Sequence, residues 1–476
     1  RNVIELPSYL KSGDVARLIP VIADNRKEQR VASVFLATLS AVPDFADALM
    51  KSISIRMGKR SIINSFTEVV FLQQSGAIKD RPDGLLEHRN GKSTWSALIE
   101  AKIGKAKIDT DQVQRYIQLA RDNGTDSVIT ISNEFVSRPT HSPVSIPKNA
   151  LRRVNLYHWS WKFILTEAIL LQAQSAVADP DQAYILREFI RFLGHESIGV
   201  GGYDQMPMEW TDVITHVQSG AALRKTSDSV QAVVSGWHQE IRDLSLKMSE
   251  HLAVNVRENL SRGHSVDLDA RVKDDCENLS KTAILNASLS IPSTVSEVFI
   301  EADINTKTIR VGMELGAPQD KARSSARLAW LMRQLTKYEG DNLFVRVKWP
   351  SRAKDTVLAA NAIRENPKIL DENKSSAPRA FQVILISDDS RRFAGRNTFI
   401  QELESLVPEF YDKVGQYLQE WRPKPPKPIE TSKASQTTQE KNTQLSGVTS
   451  SHQGDQAPRG NNHSKLLEIP SFLRRF

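Results

Sequence analysis

A chain of 476 residues exceeds what a single hydrophobic core organises, so two or three domains are expected. With 40% hydrophobic and 25% charged residues the composition is that of a globular protein, and a net charge of +7 tilts it mildly toward a polyanionic partner. One cysteine, Cys276, excludes an internal disulfide framework and a cysteine-built zinc cage, and no run approaches the roughly 20 apolar residues of a membrane-spanning helix.

Apolar residues at helical spacing (Val15, Leu18, Ile19, Val21 and Ile22, then Val31, Val34, Phe35 and Leu39) predict helix over 12–57. A further helix over 64–71 would carry Phe66, Val69 and Val70, with Glu68 beside them. Leu85 and Leu86 lead through Asn90-Gly91, a hairpin signal, to the apolar run at 95–99. A helix is predicted over 111–122 with Thr110 as N-cap, then strands over 127–131 and 154–157. The order helix, strand, strand, helix, strand, strand describes a small α/β domain.

Residues 160–282 turn helical again, with breaks at Asp179-Pro180 and 199–207. A second α/β region follows. It has strands at 298–300 and 309–311 around Asn305-Thr306, a helix over 321–335, strands at 343–349 and 381–386, and a last helix over 397–421. The residues from 422 to about 463, rich in Pro, Lys, Ser, Thr and Gln, read as a disordered linker. The chain thus divides into 1–160, a helical region 161–282, an α/β domain 283–421, the linker 422–463 and an apolar peptide 464–476.

Four pieces carry chemistry: Glu68, Pro82-Asp83-Gly84, Glu100-Ala101-Lys102, and Gln112 with Tyr116. Cleaving a phosphodiester at neutral pH needs an activated water and neutralisation of charge on the phosphate, which hard oxygen ligands holding Mg²⁺ or Mn²⁺ supply. Asp83 and Glu100, at the ends of paired strands, can converge on one cation, with the Ala101 carbonyl as a further oxygen. Glu100 and Lys102 lie two apart on a strand and leave the same face, so the ammonium can sit beside the metal. A carboxylate at the end of the run Ala97-Leu98-Ile99 needs a strong reason to be there. The plain alternative is a turn aspartate followed by an exposed edge pair.

These residues resemble the PD-(D/E)xK nuclease superfamily over about 60–160, and Gln112 with Tyr116 is similar to the Gln-x-x-x-Tyr motif of its RecB-like and phage-exonuclease branch. The resemblance implies metal ligation by Asp83 and Glu100, catalysis by Lys102, support of metal or water by Glu68 from a helix, and substrate-strand contacts from Gln112 and Tyr116. DNA is the expected substrate, with RNA open because the constellation reads phosphate and not sugar. A non-cleaving nucleic-acid-binding adaptor is the competing expectation. A nuclease joined to regulatory modules is also the plan of many restriction and phage-defence effectors.

Other features carry less. Gly199-Val200-Gly201-Gly202 lacks the Lys-Ser/Thr end of a phosphate loop and reads as a mobile loop. His158 reads as a packed strand-end residue, and Cys276, in the polar stretch 273–278, as a solvent-facing bystander. Phe344, Arg346 and Lys348 share one strand face, and with Arg391, Arg392 and Arg396 form either a nucleic-acid surface or a solvated basic face.

The peptide Leu467-Glu468-Ile469-Pro470-Ser471-Phe472-Leu473-Arg474-Arg475 resembles the tail peptide of the bacterial tubulin-like division protein, which implies docking on a partner through Ile469, Pro470, Phe472 and Leu473. The segment Ile4-Glu5-Leu6-Pro7-Ser8-Tyr9-Leu10 is a near-copy, which suggests one shared docking pocket, in a homo-oligomer or on a common partner. The first five residues lack a signal-peptide pattern, so a cytoplasmic protein is expected.

Overall fold

Alternating apolar residues bury one face of a strand at a time, and in the computed structural model these runs assemble into two sheets. The structure describes residues 6–19, 26–72, 81–351, 353–371 and 376–423; the docking residues Ile469, Pro470, Phe472 and Leu473 lie outside them. The class is α/β. Among the described residues no single helix is long and apolar enough to cross a membrane.

The first sheet runs β1 (Leu10–Val15), β2 (Ile62–Phe71), β3 (Gly84–Asn90), β4 (Ser93–Ala101), β5 (Ser127–Ser132) and β6 (Asn155–Ser160), in that order. Neighbours are antiparallel up to β4 and parallel from β4 to β6. Helices α1 (Lys27–Ala41), α2 (Pro43–Ser52), α4 (Trp161–Ala173) and α5 (Pro180–Leu193) cover one face, and α3 (Thr110–Asp122) covers the other. On the four-helix face the Phe35 ring meets Phe45, Trp159, Trp161 and Phe189 with centroids 5.7–6.5 Å apart.

The second half contains α6 (Glu209–Gln218), α7 (Asp228–Leu252), β7 (Arg257–Glu258), α8 (Leu268–Thr282), β8 (Ile284–Ser290), β9 (Val298–Asp303), β10 (Thr308–Gly316), α9 (Ser324–Met332), β11 (Leu343–Lys348), β12 (Thr356–Ala359), α10 (Ala360–Glu365), β13 (Ala380–Ser387), α11 (Ser390–Ala394) and α12 (Arg396–Lys413). Its sheet is antiparallel, ordered β12-β11-β13-β10-β9-β8-β7. The helices of 161–282 share no core of their own. Those of α4 and α5 complete the first sheet's core, while α6, α7 and α8 pack in the second, with Leu246 of α7 reaching back into the first.

Several expectations are corrected. Residues 10–15 are strand and 16–19 carry no helix; Val21 and Ile22 lie outside the described residues, and α1 starts at Lys27. The segment expected as a helix around Glu68 is β2. Its pairing with β1 steps from Thr67↔Asp14 to Val70↔Ser12, so β2 holds one extra residue there, and Glu68 takes φ = 53° at the bulge. That extra residue puts Phe66 and Val69 on one face three positions apart, which imitates helical spacing. The α3 N-cap is Asp109, whose carboxylate accepts the Gln112 N–H at 2.7 Å, not Thr110.

Cys276 is buried rather than solvent-facing, because the polar run hides a narrow stripe of Val272, Cys276 and Leu279 on α8. The last helix stops at Lys413, soon after Pro408. The unexpected β8 buries only Leu285 and Leu289 among Asn, Ala and Ser. In the N-terminal near-copy Pro7 and Leu10 are buried, Tyr9 stacks on Phe71, and its hydroxyl donates to Glu87 at 2.9 Å. Its described part, from Leu6 on, is a packed turn leading into β1, closed by the Leu10 N–H donating to the Pro7 carbonyl at 2.9 Å; Ile4 and Glu5 lie outside the described residues.

The bulge makes a test of sign. Glu68→Gly is expected to hold or raise the melting temperature, since glycine adopts φ > 0 freely, and Glu68→Val to cost about 1–3 kcal/mol. In a helix, Gly would instead be the destabilising change. Thermal denaturation of both variants reads the difference.

Candidate metal centre

The centre is built where β3 begins and β4 ends. Gly84 opens β3 under α1 so closely that a Cβ would lie 2.4 Å from Leu36 Cδ1 and 3.0 Å from the Phe66 carbonyl oxygen. Only glycine lets the strand start there, with Asp83 just outside it. Asp83 Oδ2 accepts the N–H of Ala101 at 2.8 Å, the amide that joins Glu100 to Ala101. Asp83 and Glu100 are thereby fastened side by side.

Glu100 shares its sheet face with Leu98, toward α3, and is only 3% exposed. Lys102 Nζ donates to Glu100 Oε1 at 2.6 Å. The lysine's own backbone is pinned on both sides, its N–H donating to the Ile131 carbonyl at 2.8 Å and its carbonyl accepting from Trp161 Nε1 at 2.8 Å.

From α3, Tyr116 is buried against the sheet and donates its hydroxyl to the Arg81 carbonyl at 3.0 Å, while the Gln112 amide donates to that hydroxyl at 3.1 Å. Both residues expected to touch a substrate strand therefore brace the approach to Asp83. Half-buried Gln112 is the one with open surface beside it.

Glu68 has none of these contacts. The acid that does is Glu28, in the first turn of α1: its Oε1 accepts the Ile103 N–H at 3.2 Å and its Oε2 lies 4.0 Å from Lys102 Nζ. Nothing local marks Glu28. In sequence it is an ordinary first-turn acid among Arg26, Lys27 and Arg30. The loop after Lys102 is held by residues beyond β5: Glu134 accepts the Ile108 N–H, and Asn133 Nδ2 donates to the carbonyls of Gly104 and Gly199. Gly199 is thus fastened to the site's loop.

Burial, then the neighbouring Glu100 carboxylate, push the Asp83 carboxyl up to about 8. Burial also raises Glu100, against the pull of Lys102. For Lys102 burial acts downward, but the bond to Glu100 and the charges of Glu100, Asp83 and Glu28 outweigh it, and the ammonium is held charged above its ordinary range.

Two confined acids facing one ammonium, with the Ala101 carbonyl, are an all-oxygen donor set of the chemistry that could hold a hard divalent cation. In an extended strand the N–H and C=O of one residue face the same side, so the Ala101 carbonyl faces Asp83 as its N–H does.

The other candidates are engaged elsewhere. His158 is fully buried between Thr130 Oγ1 and the Glu134 carbonyl, each at 2.9 Å, and burial pushes it down to about 4, so it stays neutral. In the second half Arg346 of β11 donates to Gln382, Lys348 of β11 pairs with Glu314 at 2.6 Å, Arg392 of α11 pairs with Glu402 and Arg396 of α12 donates to the Met206 carbonyl, while Arg391 is exposed.

No protein-family model matches the chain, and no curated protein matches it.

A carboxyl whose folded value is raised destabilises the metal-free fold as pH rises from the ordinary carboxylate range toward 8. Asp83→Asn should therefore raise the melting temperature in EDTA at pH 8 by about 2–4 °C and reduce the stabilisation by Mg²⁺ by the share that this centre contributes. In the unsubstituted protein Mg²⁺ affinity should fall as pH drops below about 8, with proton release on binding. Calorimetric titration in two buffers measures both.

Proposed function

We propose that the first sheet is a divalent-metal-dependent nuclease hydrolysing phosphodiester bonds in DNA, of the kind that its resemblance to the PD-(D/E)xK superfamily implies. One observation carries the reading: Asp83 is hydrogen-bonded to the backbone beside Glu100, with the Lys102 ammonium on the same carboxylate. An incidental edge pair would be solvated, and Glu100 is not.

A bound Mg²⁺ or Mn²⁺ would polarise the phosphate and supply a nucleophilic water. Asp83, Glu100 and the Ala101 carbonyl would hold that ion. Lys102, kept protonated, cannot serve as the base; its charge stabilises the pentacovalent phosphorus where negative charge accumulates. Glu28 limits the swing of the ammonium by offering a second carboxylate 4.0 Å away. Exposed Lys105 and Lys107, on the loop that follows Lys102, supply phosphate contacts along the strand and fix position without reading sequence. With Arg346, Lys348, Arg392 and Arg396 engaged within the protein, the second half is read as a regulatory module rather than a second nucleic-acid surface.

The test is cleavage of supercoiled, linear and single-stranded DNA, and RNA of the same sequence, in Mg²⁺, Mn²⁺ or EDTA. Cleavage is expected only with metal, falling about 100–1000-fold in Asp83→Ala and Lys102→Ala and about 10–100-fold in Glu28→Gln. Preference for RNA would revise the substrate. Absence of cleavage on every substrate by folded protein would overturn the nuclease.

A further inference from the structure

A second group of acids lies away from the candidate centre, where α7 passes α12. Glu240 and Asp243, three apart on one face of α7, meet Glu404 of α12, and one carboxylate oxygen from each lies within 4.8 Å of the others. One side of the group is supplied with donors. Lys247 Nζ is 2.8 Å from Asp243 Oδ2 and also pairs with Glu404, and the Tyr203 N–H donates to the same Asp243 oxygen at 2.7 Å. The Tyr203 loop comes this close because residue 202 is glycine: a Cβ there would lie 2.6 Å from Asp243 Oδ2 and 2.9 Å from Lys247 Nζ.

The other side has no donors among the described residues. Glu240 is fully buried, and neither of its carboxylate oxygens has a hydrogen-bond partner there; Asp243 Oδ1, also fully buried, has none either. An ionised carboxylate cut off from water and from donors is strongly unfavourable, so Glu240 must take a proton or a cation. Three carboxylates against one ammonium leave two negative charges, which a divalent ion balances. All the donor atoms are carboxylate oxygens, a set that suits Ca²⁺, Mg²⁺ or Mn²⁺ and not a thiophilic metal.

We propose that Glu240, Asp243 and Glu404 bind a hard divalent cation at a site separate from Asp83 and Glu100. The ion clasps α7 to α12, with Lys247 as the neighbouring counter-charge. Because α7 also sends Leu246 into the first sheet's core and pairs Glu250 with Lys162 of α4 at 2.7 Å, a cation here stiffens the helix that the two sheets share. The site stands whether or not the first sheet cuts DNA.

Mn²⁺ binding, followed by the electron paramagnetic resonance of the free ion and by thermal shift, tests this on the full chain. In the double variant Asp83→Asn/Glu100→Gln one Mn²⁺ per chain should remain bound, and its addition should still raise the melting temperature. Adding Glu240→Gln, close in shape, should weaken that remaining binding by roughly tenfold or more and remove the Mn²⁺-dependent shift. Glu404→Gln, at a half-buried position, should do the same and serves if the first variant fails to fold. Loss of all Mn²⁺ binding in the double variant would overturn the site. So would unchanged affinity in both further variants, which would mean that Glu240 is simply protonated. Cleavage assays do not enter either outcome, so the nuclease reading stands or falls separately.

Discussion

A carboxylate at the buried end of an apolar strand must be compensated, and the first half of this protein is arranged around the compensation of Glu100. Lys102 supplies the charge, Asp83 is drawn alongside through the Ala101 amide, and Tyr116 keeps its hydroxyl on the chain that delivers Asp83. Each of these groups comes from a different element, so the acid pair holds its spacing only while β3, β4 and α3 are in register. The remaining excess of negative charge suits the site to a cation and keeps the lysine protonated.

The same economy recurs at Glu240, Asp243 and Glu404, with Lys247 in the place that Lys102 takes in the first group. In both, a lysine satisfies part of a carboxylate cluster; in the first a backbone N–H serves the other acid, whereas in the second Glu240 is left without donors. The difference is mechanical. The first group joins neighbouring strands of one sheet, whereas the second joins two long helices, one of which contributes to both cores.

How much of this was legible in the sequence follows from how far apart the partners lie. Asp83, Glu100 and Lys102 could be assembled on paper because a single hairpin brings them together, and Asn90-Gly91 announces that hairpin. The positive φ falls on Gly91, and Asn90 pairs with Ser93. Glu28 could not be found, since its relation to Lys102 exists only once α1 has packed across the sheet, some 75 residues away in the chain. The helix expected at Glu68 failed for a local reason, because one inserted residue turns a two-residue period into a three-residue one. Cys276 was misjudged because three apolar residues spaced four and three apart suffice to seat a helix whose other positions are charged. The orphaned oxygens of Glu240 had no signature, because their absence of donors is a property of packing.

The indole of Trp161 holding the Lys102 carbonyl has a meaning for how this protein can be divided. The sheet ends at Ser160, yet the residue that steadies the lysine's peptide is the next one along, and Phe189 of α5 fills the aromatic cluster around Phe35. A fragment ended at the last strand would uncover the rings of Phe35 and Trp159 and release the lysine's carbonyl. A part transplanted between proteins with this arrangement intact therefore runs at least through Leu193, with Gly199 and Leu246 still beyond it, and recombination at the strand-helix border would deliver a sheet without the clamp on Lys102.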